Sequence, residues 1–337
     1  MSAKELGVDL GTVSVLVYQK KKGIILSEPS VVAISKKVNK VVAVGNEARK
    51  MVGRTPEDIY AIKPLKDGVI ADYTMTSIML KEFIRKIVPN LFFNKPIIVI
   101  GVPASITSVE KRAIIEAGYA VGAKKIILII EPMAAALGAG LDIDKPKGNM
   151  IVDIGGGTTD IAIISMNGIV VRDTVRIAGN AFDEDIIRYI KKNMSLIVGD
   201  NTAEEIKKQV GKAYPGEENK EIQIIGRDTI NGLPKEININ SDAVYDSLKE
   251  HLNTIISHIK MVLEKTPPEL ISDVMNDGIV VTGGGALLRG IDKLIYKYTG
   301  VKTRIAEDPI TCVARGTGKV FEDPQLLKRL MELYEDI

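Results

Sequence analysis

At 337 residues the chain exceeds the size at which one hydrophobic core stops growing, so two or more domains are expected. Lysine plus arginine (45) nearly balance aspartate plus glutamate (43), so no basic domain emerges and nucleic acid is not an expected partner. The single cysteine, Cys312, fits a reducing compartment, no apolar run is long enough to span a membrane, and the opening residues leave no room for a signal peptide; a cytoplasmic location is expected.

The first element is a motif that occurs twice. Leu6-Gly-Val-Asp9-Leu-Gly11-Thr12 runs into the apolar Val13-Ser14-Val15-Leu16-Val17-Tyr18. An apolar run, a carboxylate, a glycine turn and a second apolar run predict a β-hairpin with Asp9 at its turn. Strands are expected at Val31–Ile34 and Val41–Val44, around the polar turn Lys36–Lys40. Tyr73–Val88 has its apolar residues at helical spacing and is ended by Pro89. Pro89-Asn-Leu91-Phe92-Phe93-Asn-Lys-Pro96 is a loop with three consecutive apolar residues, either a core plug or an exposed tip for a membrane or a partner. A buried strand at Ile97–Ile100 is followed by a helix that Ser108 precedes, with Val109 and Glu110 in its first turn, running through Ala123. A second buried strand, Lys125–Ile130, ends in Glu131-Pro132 and a helix of small residues, Met133–Gly138.

The motif returns as Met150-Ile-Val-Asp153-Ile-Gly155-Gly156-Gly157-Thr158-Thr159-Asp160, followed by Ile161–Ile164. This hairpin has more glycines than a tight turn requires. Glycines allow close backbone approach and turn several N–H groups toward a phosphate, and threonine adds hydroxyls. Asp9 and Asp153 cannot face phosphate oxygens directly; a hydrated Mg²⁺ between them removes the repulsion. Two such hairpins facing one another would hold a nucleoside triphosphate from both sides. A mixed polar stretch at about 181–254 follows, in which Glu204 and Lys207 share a helix face. A long helix runs from Ser241 or Asp242 to Glu264. Gly283-Gly284-Gly285-Ala286-Leu287 then follows a buried strand and is expected to open a helix toward an anion or a flat ring. A terminal helix is expected at about 322–337. Glu131, at the carboxyl end of a buried strand, is placed to orient or partly deprotonate a water. His251 and His258 are read as surface or partner-facing residues, and no Walker-type loop or dinucleotide fingerprint is present.

The two hairpins, Glu131-Pro-Met-Ala-Ala-Ala136 and Gly283-Gly-Gly-Ala-Leu-Leu288 together resemble the actin, sugar-kinase and heat-shock-chaperone ATPase superfamily. Ser27-Glu-Pro-Ser-Val-Val32, Gly45-Asn-Glu-Ala-Arg49, Lys63 to Asp72, Gly226-Arg-Asp228, Thr266-Pro-Pro-Glu-Leu270 and Gly316-Thr-Gly318 narrow the resemblance to the bacterial actin MreB/Mbl family. It implies an α/β actin-like ATPase fold of two duplicated domains around a nucleotide cleft. Domain I is expected at 1–144 plus 310–337, with a smaller subdomain at about 32–75. Domain II is expected at 145–309, with one at about 181–254. ATP and Mg²⁺ are the implied cofactors. Asp9, Gly11, Thr12, Val13, Ser14, Asp153, Gly155, Gly156, Gly157 and Thr158 are the implied phosphate and Mg²⁺ residues, with Asp9 and Asp153 acting through water. Glu131, Thr158 and Asp153 are the implied catalytic group. Gly179, Asp183, Glu204, Lys207 and Gly283 to Leu287 would line the nucleoside, and Leu91, Phe92 and Phe93 would insert into the membrane.

The resemblance further implies self-assembly into filaments, paired antiparallel, at the inner face of the cytoplasmic membrane. It implies a role in cell shape through the cell-wall elongation machinery. Val13-Ser14-Val15 replaces the family's usual continuation after Asp-Leu-Gly-Thr, and Arg315 is unusual. A chaperone-type nucleotide-binding module or a small-molecule kinase on the same fold are the alternatives. The first needs a substrate-binding region after the ATPase, and the second an acceptor-specific insertion.

Overall fold

A computed structural model describes residues 4–54, 56–88 and 94–333. The three consecutive apolar loop residues Leu91, Phe92 and Phe93 lie outside the described residues.

Two five-stranded sheets organise the chain, and they are built alike. In the first, Glu5–Leu10 lies between the antiparallel hairpin partner Ser14–Gln19 and the parallel strand Ile97–Val102. Gly23–Pro29 extends the hairpin side and Lys125–Ile130 extends the parallel side. In the second, Asn149–Ile154 takes the central place, between Thr159–Ser165 and Ile279–Thr282. Gly168–Val175 and Thr303–Ile305 form its edges. Strand order and sense match strand for strand, so the repeated Asp–Gly motif marks a repeated architecture.

The central strands are continuous apolar runs because both sheet faces are covered. Ile98, Val99, Ile100, Leu128 and Ile129 are fully buried, as are Ile151, Val152, Ile161, Ala162 and Ile163. Glu131–Gly138 and Cys312–Lys319 pack between the two sheets. Their crossing is close because both carry glycine at the contact. A Cβ at Gly316 would stand 1.7 Å from the Ala134 carbonyl oxygen, and one at Gly138 would stand 1.8 Å from that of Cys312. No residue with a side chain fits either position without separating the helices.

A small three-stranded sheet is inserted in each half. Lys40–Val44, Val32–Ser35 and Ile59–Ile62 form one, with the helix Asn46–Met51 beside it. Leu196–Ile197, Glu221–Asp228 and Pro234–Asn240 form the other, with the helix Gly179–Met194 before it and the helix Asp200–Val210 between its first two strands. Ser241–Lys265 buries Val244, Leu248, Leu252, Ile255, Ile259 and Val262, a stripe with helical period. Asn240 caps it by accepting the Ala243 N–H at 3.0 Å.

One expectation needs correction here. The helix expected through Ala123 spans Ser108–Ala120; it stops because Gly122 takes a positive φ of 92°. Its cap is Thr107, in a reciprocal capping box with Glu110. His251 and His258 are part-exposed, in keeping with a surface position, and their Nδ1 atoms lie 2.5 Å from Asp185 Oδ2 and Asp173 Oδ2. Among the described residues, no helix is long and apolar enough to cross a membrane.

Candidate nucleotide site

Both hairpins form, and their turns meet. Gly11 N–H closes the first turn on the Ser14 carbonyl at 3.1 Å, and Gly155 N–H closes the second on that of Thr158 at 2.9 Å. Neither turn uses a positive φ at its glycines. These glycines are there for proximity. A Cβ at Gly156 would stand 2.2 Å from Val13 Cγ2, and one at Gly157 would stand 2.7 Å from Thr12 Oγ1. The two halves of the chain therefore touch where their glycine turns oppose each other. Val13, which departs from the family pattern, fills this contact.

Register brings the carboxylates to the same place. Asp9 is paired with Gly101 in the parallel register, and Gly101 with Ile129, so Asp9 and Glu131 emerge together at the carboxyl ends of their strands. Asp153 lies opposite Asp160 in its hairpin and accepts a 2.8 Å hydrogen bond from Thr282 Oγ1. Asp160 accepts from Thr174 Oγ1 at 2.7 Å and from the Ala104 N–H, in the other half of the chain, at 3.3 Å. Removal from water raises all four carboxyls; charged neighbours add to the rise at Asp9 and Glu131, and hydrogen bonds oppose it at Asp153 and Asp160. Asp9 is pushed up to about 8 by burial and the Asp153 charge. Asp153 is pushed up to about 7 by burial, a rise opposed by its Thr282 hydrogen bond. Glu131 is held well above the usual range by burial and then by Asp160, Asp9 and Asp153. Asp160 is raised by burial, against its hydrogen bonds. Such a set of acids is electrostatically incomplete and fits a cation with an anion behind it. Among the described residues, no three acidic, histidine or cysteine side chains converge closely enough to ligate a metal directly.

Several supports had no role assigned from the sequence. Ser30, fully buried, donates to the Gly11 carbonyl at 2.6 Å, and its N–H donates to Val13 O at 2.9 Å, fixing the first turn from the third strand. Leu65–Lys66 and Val69–Ile70 form a two-residue hairpin whose turn, Asp67-Gly68, has φ of 50° and 78°. Gly68 N–H donates to Thr12 Oγ1 at 3.0 Å. A Cβ on Gly68 would stand 3.0 Å from Thr158 Cγ2, and one on Gly157 would stand 2.9 Å from Asp67 Cα. This hairpin therefore touches both glycine turns. The signal was present as an Asp-Gly pair between apolar residues.

The residues expected around the nucleoside come to the second turn from three directions. Gly179 N–H donates to Gly155 O at 3.2 Å, and Asn180 N–H to Gly156 O at 2.8 Å. Lys207 Nζ reaches Gly179 O and Asp183 Oδ1, both at 2.8 Å. Glu204 bonds Lys208 at 2.5 Å and Arg49 from the other half of the chain, so it does not pair with Lys207. Gly283 has a φ of 80° and backs onto the second hairpin; a Cβ there would stand 2.8 Å from Asp153 Oδ1. The expectation that Gly283 to Leu287 opens a helix is corrected: Gly284–Leu287 is one 3₁₀ turn, and the α-helix starts only at Ile291. A helix dipole cannot act there, and the segment offers close backbone approach instead. Ala286 is buried and Leu287 is exposed. Arg315 has a structural account: its Nη2 donates to the Glu307 carbonyl at 2.7 Å and contacts Cys312 Sγ at 3.4 Å.

Comparison with known proteins agrees with this fold. The family model described as MreB/Mbl protein matches residues 3–329. The cell shape-determining protein Mbl of Bacillus subtilis strain 168 is 50% identical over 329 residues, covering 98% of this chain and 99% of that protein. The cell shape-determining protein MreB of Escherichia coli strain K12 is 48% identical over 327 residues, covering 96% and 94%. Among solved structures, MreB5 of Spiroplasma citri bound to ADP superposes with a TM-score of 0.91 at 39% identity, covering 99% of both chains. The MamK double helical filament gives 0.79 at 26% identity, covering 96% of this chain and 99% of that one. With its duplicated sheets and opposed glycine turns, the chain has the actin-like fold and belongs to the MreB/Mbl family.

Proposed function

We propose that this chain binds and slowly hydrolyses ATP with Mg²⁺ and assembles into membrane-associated filaments that govern cell shape by organising wall synthesis. The observation that carries the nucleotide part is the contact between two glycine turns, with Asp9, Asp153 and Glu131 gathered beside it. Relatives with bound ADP and AMPPNP support it. The filament part is supported by the MamK double helical filament, and the role in cell shape by the names of the Mbl and MreB relatives. Its place is the cytoplasm at the inner membrane face, with Leu91, Phe92 and Phe93 as the contact. The functional halves are 1–144 with 310–337, and 145–309.

In this reading the N–H groups of Thr12 to Ser14 and Gly156 to Thr158, in turns closed by the Gly11 and Gly155 N–H groups, hold the phosphates, helped by the Thr12 hydroxyl. Asp9 and Asp153 would hold Mg²⁺ through waters, where a bound ion would supply charge neutralisation at the phosphates. Asp183, Glu204, Lys207 and Gly283 to Leu287 border the nucleoside. Glu131 and Thr158 orient the attacking water. Burial and the Asp160, Asp9 and Asp153 charges hold Glu131 well above the usual carboxylate range, which makes it a stronger base than an exposed glutamate. Glu131→Ala is expected to bind ATP with nearly unchanged affinity but to release phosphate about 100-fold more slowly or worse. Titration calorimetry and a phosphate-release assay read the two effects; hydrolysis at the wild-type rate would remove Glu131 from this role.

A further inference from the structure

Arg49 and Glu204 lie far apart in sequence and on different sheets' insertions. Arg49 is in the last turn of Asn46–Met51, beside the first small sheet. Glu204 is in Asp200–Val210, on the helix that also carries Lys207. Arg49 Nη2 bonds Glu204 Oε2, while Lys208 Nζ takes Oε1 at 2.5 Å. Among the described residues this is the only ion pair joining residues 32–75 to residues 181–254. Glu204 is mostly buried, with 18% of its side chain exposed, and Arg49 keeps 40%. The Glu204 carboxyl is lowered despite burial, because Lys208, Arg49 and Lys207 surround it. One turn further along the helix, Lys207 joins Asp183 to the Gly179 carbonyl, and Gly179 bonds the second glycine turn. The bridge therefore lands on the rim that leads directly to the phosphate turns.

We propose that Arg49–Glu204 is a latch across the mouth of the nucleotide cleft, with Arg49 as a positioning residue that holds Glu204 at the nucleoside and slows nucleotide release. The two insertions are held to one another above the site, so outward passage of a nucleotide requires the pair to break. A half-exposed ion pair is modest in strength and sensitive to salt, which suits a contact that must open in every cycle. Lysine would keep the charge but lose the planar fork that grips a carboxylate.

The latch rests on the nucleotide reading above, and stopped-flow release of fluorescent ADP from the full chain tests the two separately. Arg49→Ala is expected to release ADP about two- to fivefold faster, the range such a pair supports. Arg49→Lys should fall between it and the wild type. Single-turnover hydrolysis should be unchanged in both, because Arg49 is remote from Glu131 in the site's chemistry. Raising KCl to about 1 M should speed release from the wild type and leave Arg49→Ala nearly unaffected. Release from a folded Arg49→Ala at the wild-type rate, or an equal salt response in the two proteins, overturns the latch while leaving nucleotide binding intact. A wild type that binds no labelled ADP overturns the nucleotide reading and the latch with it.

Discussion

Asp9 and Asp153 carry the strongest residue-scale consequence. In the unfolded chain both titrate near 3.8; in the fold they rise to about 8 and about 7. Between those limits the folded protein holds protons that the unfolded chain has lost, so stability falls as pH rises through that window. The nucleotide-free protein in EDTA is therefore expected to melt at a lower temperature at pH 8 than at pH 5.5. ATP-Mg²⁺ should flatten or reverse the slope, because a cation replaces the protons. Differential scanning fluorimetry across pH checks this, and a melting temperature that rises steadily from pH 5.5 to 8 without nucleotide contradicts it. The two aspartates were readable in the sequence because each ends an apolar strand at a glycine turn. Asp160 was visible beside the second turn, but its bond to Ala104 N–H depends on how the two halves meet. Arg49 and Ser30 stand in segments that carry the family resemblance, but their roles were not readable, since their partners lie in other elements.

Elements that depend on their own residues were the most legible. The hairpins, the parallel strands and Ser241–Lys265 followed from apolar periodicity. The cap of Ser108–Ala120 was readable too, as Thr107-Ser-Val-Glu110, but the adjacent serine competes for the assignment. Gly283 to Leu287 misled because a glycine loop after a buried strand commonly opens a helix; the chain instead makes one tight turn against Ile154. The least legible feature is the crossing of Glu131–Gly138 with Cys312–Lys319, where glycine matters through another helix's backbone. Gly316→Val would drive side-chain atoms into the Ala134 carbonyl. It is expected to destabilise the protein by about 1–3 kcal/mol or more, read as a lower urea midpoint. An unchanged midpoint would mean the two helices can separate freely.

At the scale of the whole molecule, duplication explains why one motif occurs twice and why the proposed site falls between the halves. Each sheet delivers one aspartate and one glycine turn, and neither alone encloses a phosphate. The Glu131–Gly138 and Cys312–Lys319 helices join the sheets on one side, and Arg49–Glu204 joins the two insertions on the other. Nucleotide held between the turns would therefore fix the relative setting of the halves, and with it the surface presented to another copy. Assembly should depend on ATP-Mg²⁺ for this reason. The most direct measurement is sedimentation of the purified chain at tens of micromolar with and without ATP-Mg²⁺, with negative-stain microscopy of the pellet. The account predicts filaments in the pellet with ATP-Mg²⁺ and soluble protein without it. A chain that binds ATP yet stays monomeric under both conditions, with or without lipid vesicles, would contradict it.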